Sequence, residues 1–159
     1  MAMNIELLHK VSSLLKEKGL TVATAESCTG GLIANMLTNV SGSSLYFDRG
    51  VVSYSNRAKM ELLGVPSQVL EKHGAVSEET AKAMAEGVKL RSGVDVGVST
   101  TGIAGPTGGT KDKPVGLVYI GVSTRDETVV KKFLFKGDRL SNKESACEAA
   151  LKMLFELLK

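Results

Sequence analysis

A chain of 159 residues with 43% hydrophobic residues suits one domain of ordinary size with its own core. The net charge is only +3, the lysines form no stripe, and aromatics are few, so neither a nucleic-acid surface nor a base-stacking platform is expected. No apolar run is long enough to span a membrane, no signal-peptide pattern opens the chain, and the two cysteines form no CxxC pair, which points to the reducing cytoplasm.

Met1-Ala2-Met3 reads as a cloning remnant. Asn4 to Lys18 carries Leu8, Val11, Leu14 and Leu15 at helical spacing and stops at Gly19. Leu20 to Glu26 predicts a strand, and Cys28 to Thr38 a helix. Residues 39–44 form a loop by composition. A second strand is predicted over Phe47 to Tyr54, then a short helix over Arg57 to Leu63, capped by Asn56 and closed by Gly64. Ser67 to Lys72 is a further short helix. Ser77 caps the next, which runs to about Leu90 with Glu78 and Glu79 in its first turn.

Val94 to Thr101 is rich in valine and small residues, as a central strand requires. The glycine-rich loop 102–109 follows. Val115 to Ser123 and Thr128 to Phe135 form a hairpin around Arg125-Asp126-Glu127, and a helix from Asn142 to Leu158 ends the chain. Strands separated by helices pair in parallel, and a late hairpin adds antiparallel strands. The expected fold is a single-domain α/β protein, three layers α/β/α around a mixed, mostly parallel sheet.

The chemistry concentrates at Ala25-Glu26-Ser27-Cys28-Thr29-Gly30-Gly31, a strand-to-helix turn. The first N–H groups of a helix have no internal partner and carry partial positive charge. Such a turn holds a phosphate, or the oxyanion formed when a hydroxyl attacks a carbonyl. Ser27 and Cys28 are both potential nucleophiles; the plainer reading makes Ser27 a helix cap and Cys28 a small buried residue. His9 and His73 lie apart from any carboxylate cluster, so no metal site is visible. The run Gly105 to Asp112 departs from a P-loop, since Thr110 and Asp112 replace its second glycine and its Ser or Thr. The 102–109 loop remains a candidate anion or ribose cradle, or else a plain connection.

Tyr54-Ser55-Asn56-Arg57-Ala58-Lys59 follows the second strand. Parallel pairing with the Ser27 strand would open both on one sheet edge, where open α/β sheets bind ligands. No histidine stands near either strand end. Lys59 can serve as base only if burial or a nearby cation keeps it neutral; otherwise it is a solvated lysine.

Six stretches stand here in one order: Ala-Glu-Ser-Cys-Thr-Gly-Gly at 25–31, Tyr-Ser-Asn-x-x-Lys at 54–59, His-Gly-Ala-Val-Ser at 73–77, Gly-Ile-Ala-Gly-Pro-x-Gly-Gly at 102–109, Lys113-Pro114-Val115-Gly116, and Gly-Asp-Arg at 137–139. Together they resemble the CinA carboxy-terminal domain family, which includes stand-alone nicotinamide-nucleotide amidohydrolases. The resemblance runs from about residue 5 to the end, without the additional N-terminal domain of longer relatives.

The resemblance implies conversion of nicotinamide mononucleotide to nicotinate mononucleotide and ammonia in pyridine nucleotide salvage. It implies Ser27 as nucleophile, Lys59 as general base and Tyr54 as supporting hydroxyl. Substrate contacts are expected from Thr29, Gly30, Gly31, Thr101, Gly102, Gly105, Gly108, Gly109 and Arg139, with Arg139 either binding phosphate or lowering the lysine pKa as a nearby cation, as Arg57 would. No metal or cofactor is expected. A cytoplasmic homo-oligomer is, with a small nucleotide as partner and neither membrane nor nucleic acid. The rival expectation is a non-catalytic nucleotide-binding regulatory module. A DNA-associated competence factor is a third reading, suggested by the family name alone.

Overall fold

The computed structural model describes residues 4–159; the first three, read above as a cloning remnant, lie outside it. Helix α1 spans Ile5–Lys18, with the Asn4 side chain accepting a hydrogen bond from the Leu7 amide at 3.0 Å. Strand β1 is Val22–Glu26, helix α2 Leu32–Leu37, and a 3-10 turn at Ser43–Leu45 precedes strand β2, Phe47–Val52. Helices α3 (Asn56–Leu63), α4 (Ser67–His73) and α5 (Glu78–Ser92) follow. Strands β3 (Val96–Gly102), β4 (Leu117–Ser123) and β5 (Thr128–Leu134) come next, and α6 runs from Arg139 to Leu158.

The five strands lie in the order β2-β1-β3-β4-β5. β1 pairs in parallel with β2 and with β3, while β3–β4 and β4–β5 are antiparallel. Only β4 runs against the other strands, so the sheet is mixed as expected, but its pairings divide evenly. A bulge interrupts β2: Val22 faces Phe47 and Ala23 faces Arg49, leaving Asp48 unpaired.

Helices cover both faces. On one side α1, α2 and α6 bury Val11, Leu15, Ile33, Leu37, Leu151 and Leu154 against Val22, Val98 and Ile120 of the sheet. On the other, Leu63, Leu70, Met84 and Val88 of α3 to α5 pack over Ala23 and Ala25. This second face is built of small residues so that α5 can come close: a Cβ on Gly97 would stand 2.2 Å from the Ala85 carbonyl oxygen. The alternation along β1 therefore sends residues 23 and 25 toward α3 to α5 and residues 22, 24 and 26 toward α2.

Three of the boundaries that differ from expectation have clear local reasons. Helix α2 begins at Leu32 rather than Cys28, because Gly30 and Gly31 turn through positive φ of 61° and 104°. Ser55, not Asn56, caps α3, its hydroxyl accepting from the Ala58 amide at 3.0 Å. Helix α6 starts three residues early because the Asp138 carboxylate accepts from the Ser141 amide at 2.8 Å. Among the described residues, no helix is long and apolar enough to cross a membrane.

Candidate active site

The C-terminal ends of β1, β2 and β3 open on one edge of the sheet, as do the loop after β3 and the start of α6. The Ser27 amide donates to Thr100 O of β3 at 3.0 Å, and the Ser53 amide donates to Glu26 O at 2.8 Å. The turn after β1 is thereby locked to both neighbouring strands. Ser27 continues the alternation of Ala23 and Ala25 and faces α3; Cys28 turns into the α1–α2–α6 core.

Lys59 is the fourth residue of α3 and is only 1% exposed. Its Nζ lies 3.1 Å from Ser27 Oγ, 2.8 Å from the Ser53 carbonyl and 3.3 Å from the Tyr54 carbonyl. All three neighbours are uncharged. Burial lowers the lysine pKa from its ordinary value, against an opposing pull from Cys28. A neutral amine has two hydrogens and one lone pair. As an ammonium, Lys59 donates to all three; once a proton is lost, the two carbonyls can keep the remaining hydrogens and the lone pair falls to the Ser27 hydroxyl. Arg57 and Arg139 were expected to add like charge. Arg57 instead reaches Glu61 at 2.7 Å on the outer face, and Arg139 reaches the Tyr54 hydroxyl.

Cys28 is 5% exposed, and burial pushes its thiol up to about 11. It is thus a poor source of thiolate at neutral pH. Cys147 lies in the same core, its thiol raised to about 12 by burial.

Sequence reasoning missed Glu26. Its carboxylate is buried under α2, accepting from the Thr29 hydroxyl at 2.6 Å and from the amides of Ile33 and Ala34 at 2.9 and 3.0 Å. It takes the free helical N–H groups of α2, so these cannot also hold a substrate anion. The signal was present: a glutamate ending a strand otherwise made of small and apolar residues must find buried donors. The Thr29 hydroxyl gives its hydrogen to Glu26 and so accepts from Thr100 Oγ1 at 2.8 Å. The Gly30 amide donates to Ser27 O at 3.1 Å. Among the described residues, the amides of Cys28, Thr29 and Gly31 have no acceptor within the protein.

Tyr54 is 61% exposed, and its phenol oxygen accepts from Arg139 Nη2 at 3.0 Å. It touches Lys59 through its main chain, not its ring. Arg139 Nη1 donates to Gly105 O at 2.7 Å, so this side chain ties the tyrosine to the loop after β3. Asn142 binds the same loop, its Nδ2 donating to Ala104 O at 3.0 Å. Thr101 is buried and donates to Ala75 O at 2.6 Å. Gly105 and Gly109 are glycine because of packing: a Cβ on either would stand within 3 Å of Val115. Gly102 is likewise closed by Leu117, whereas Gly108 has ordinary room beside Ile103.

A sequence profile of the CinA C-terminal domain matches residues 4–158. The chain belongs to this family. A CinA-like protein of Chloroherpeton thalassium is 55% identical over 159 residues, covering 98% of this chain and 38% of that protein. A CinA-like protein of Syntrophus aciditrophicus is 55% identical over 145 residues, covering 91% and 34%. The chain thus spans little more than a third of the length of these curated CinA relatives.

Solved structures agree in fold. The competence/damage inducible protein CihA of Agrobacterium tumefaciens superposes with a TM-score of 0.94 at 42% identity, over 97% of this chain and 94% of that one. The competence damage-inducible protein A of Klebsiella pneumoniae does so with a TM-score of 0.95 at 35% identity, over 99% and 98%. These names speak of competence and damage and specify no reaction.

Proposed function

We propose that this CinA-family domain is a nicotinamide-nucleotide amidohydrolase of pyridine nucleotide salvage, releasing ammonia from nicotinamide mononucleotide to leave nicotinate mononucleotide. The observation that carries the reading is the buried Lys59 amine, 3.1 Å from Ser27 Oγ, with two main-chain carbonyls and no carboxylate beside it. A structural lysine would gain by pairing with an acid or reaching water. A base needs to be neutral and aimed at a hydroxyl.

Neutral Lys59 takes the Ser27 proton as Oγ attacks the carboxamide carbon. The oxygen of the tetrahedral intermediate gains the negative charge, and the uncommitted amides of Cys28 and Thr29 are its donors. Lys59 returns the proton to the nitrogen, the C–N bond breaks, and ammonia leaves an ester on Ser27. Lys59 then deprotonates water, which attacks the ester; the carboxylate departs and Ser27 regains its proton. Arg139 and Tyr54 brace the loop that borders this space.

No cofactor enters this scheme. The two buried, unpaired cysteines suit a reducing cytoplasm, and the expected working state is a homo-oligomer, which light scattering would test. The purified domain is incubated with nicotinamide mononucleotide, and ammonia and nicotinate mononucleotide are measured together. Equal amounts of both are expected. Binding of the nucleotide without ammonia would overturn the catalytic reading in favour of a regulatory module, and salt-sensitive DNA binding would favour the competence factor.

A further inference from the structure

Arg139 and Lys143 stand one turn apart on α6, on the same side of the helix, and both overlook the Ser27 edge of the sheet. Their situations differ. Arg139 has both Nη atoms engaged, with Gly105 O and the Tyr54 hydroxyl. Lys143 is half-buried, yet among the described residues it makes no hydrogen bond or ion pair. Its ammonium hangs over the Ser27 turn: a Cβ on Gly30 would stand 3.6 Å from Lys143 Nζ.

The space beneath it is a hollow of about 370 Å³, bordered by Gly30, Gly31, Asn35, Leu140, Lys143 and Glu144. That volume lies at the small end of the range for ligand sites. The wall is glycine backbone on one side and a lone cation on the other. Glu144 also lines the hollow, and its negative charge favours an anion seated on the Lys143 side, nearest the turn. Gly30 closes a tight turn with Ser27, its amide donating to Ser27 O at 3.1 Å. The hollow therefore begins one turn away from the nucleophile.

We propose that Lys143 recognises the phosphate monoester of the substrate, held in the hollow between its ammonium and the Gly30–Gly31 backbone. This rests on the amidohydrolase reading for the identity of the substrate but not for the existence of the anion site. The carboxamide lies at Ser27 and the ribose spans the turn, so Lys143 decides between a nucleotide and its phosphate-free nucleoside.

The test compares wild type with Lys143→Met, which keeps the stem and removes the charge. Ammonia release is measured from nicotinamide mononucleotide and from nicotinamide riboside. The preference for the nucleotide, as a ratio of kcat/KM, is expected to fall about tenfold or more, carried by KM, the size of one lost charge-assisted hydrogen bond. An equal loss on both substrates, or no loss, overturns the proposal. So does Arg139→Met erasing the preference while Lys143→Met keeps it. If wild type releases no ammonia, the catalytic reading fails by itself, and the site is judged by calorimetric titration with ribose 5-phosphate. Weaker binding to Lys143→Met than to wild type then supports the site; equal binding, or none to either protein, overturns it.

Discussion

Replacing Lys59 by methionine keeps the buried stem and removes the amine, and two measurements then bear on one question, whether the native lysine is neutral. The first is rate. Loss of a general base costs about 10²- to 10⁴-fold in turnover. The second needs no substrate. In the unfolded chain Lys59 titrates near the ordinary value of about 10.4, while burial lowers it in the folded protein. Between the lowered native pKa and about 10.4, the unfolded chain holds one proton more than the native one. Stability then rises with pH, by about 1.4 kcal/mol per unit from this residue.

Below the native pKa both states are charged, and the burial penalty is fully present. Above about 10.4 neither is charged, and the penalty has gone. Unfolding free energies of wild type and Lys59→Met are measured by urea denaturation across the alkaline range, and their difference plotted. Wild type is expected to gain on the variant through that window, by about 1.4 kcal/mol per pH unit. Activity of wild type should rise with pH through a single limb below 10.4. A flat stability difference would show that Lys59 stays charged in the native protein, and the lysine-base mechanism would fall with it.

Lys59→Arg should be inactive in the ammonia assay, since a guanidinium stays protonated and cannot take the serine proton; near-normal turnover would send the search for the base elsewhere. Ser27→Ala should abolish ammonia release, while Cys28→Ala keeps most of it, because the thiol is buried in the opposite core and raised to about 11; the reverse result would refute the choice of nucleophile. Glu26→Gln should lower unfolding free energy by about 2–4 kcal/mol in urea titration, because either placement of the amide turns an NH2 toward an α2 donor; a wild-type midpoint would show that the carboxylate is not needed there. EDTA should leave ammonia release unchanged, and its loss on chelation would contradict the scheme.

Much of this was legible in the sequence, for identifiable reasons. Long amphipathic stretches such as α1, α5 and α6 announce themselves by periodicity, and the small residues of β1 and β3 mark strands that a helix must approach. Proximity of Ser27 and Lys59 followed from one inference, parallel pairing of β1 with β2, and the register confirms that pairing. What could not be read was which atom meets which. Tyr54 offers its carbonyl to Lys59 and its phenol to Arg139, and no spacing rule separates a residue's main chain from its side chain. The start of α2 was misplaced because the helix was extended back to Cys28 across two glycines that turn through positive φ. Gly102, Gly105 and Gly109 read as ligand contacts in one dimension; in three they also pack closely against residues 115–117.

The unpaired Asp48 sets the phase of the active site. From Ala23 and Arg49 onward the two strands advance in step, so the one spare residue fixes where β2 ends relative to β1. Ser53 and Tyr54, whose carbonyls hold the Lys59 amine, arrive level with Ser27 because the bulge takes Asp48 out of the pairing. Paired from Phe47 onward without the bulge, the strand would carry the pair about 3.3 Å too far along, and each side chain would change faces. Nucleophile and base are brought into line by counting residues at the opposite end of the sheet, at a position whose own side chain merely pairs with Arg49.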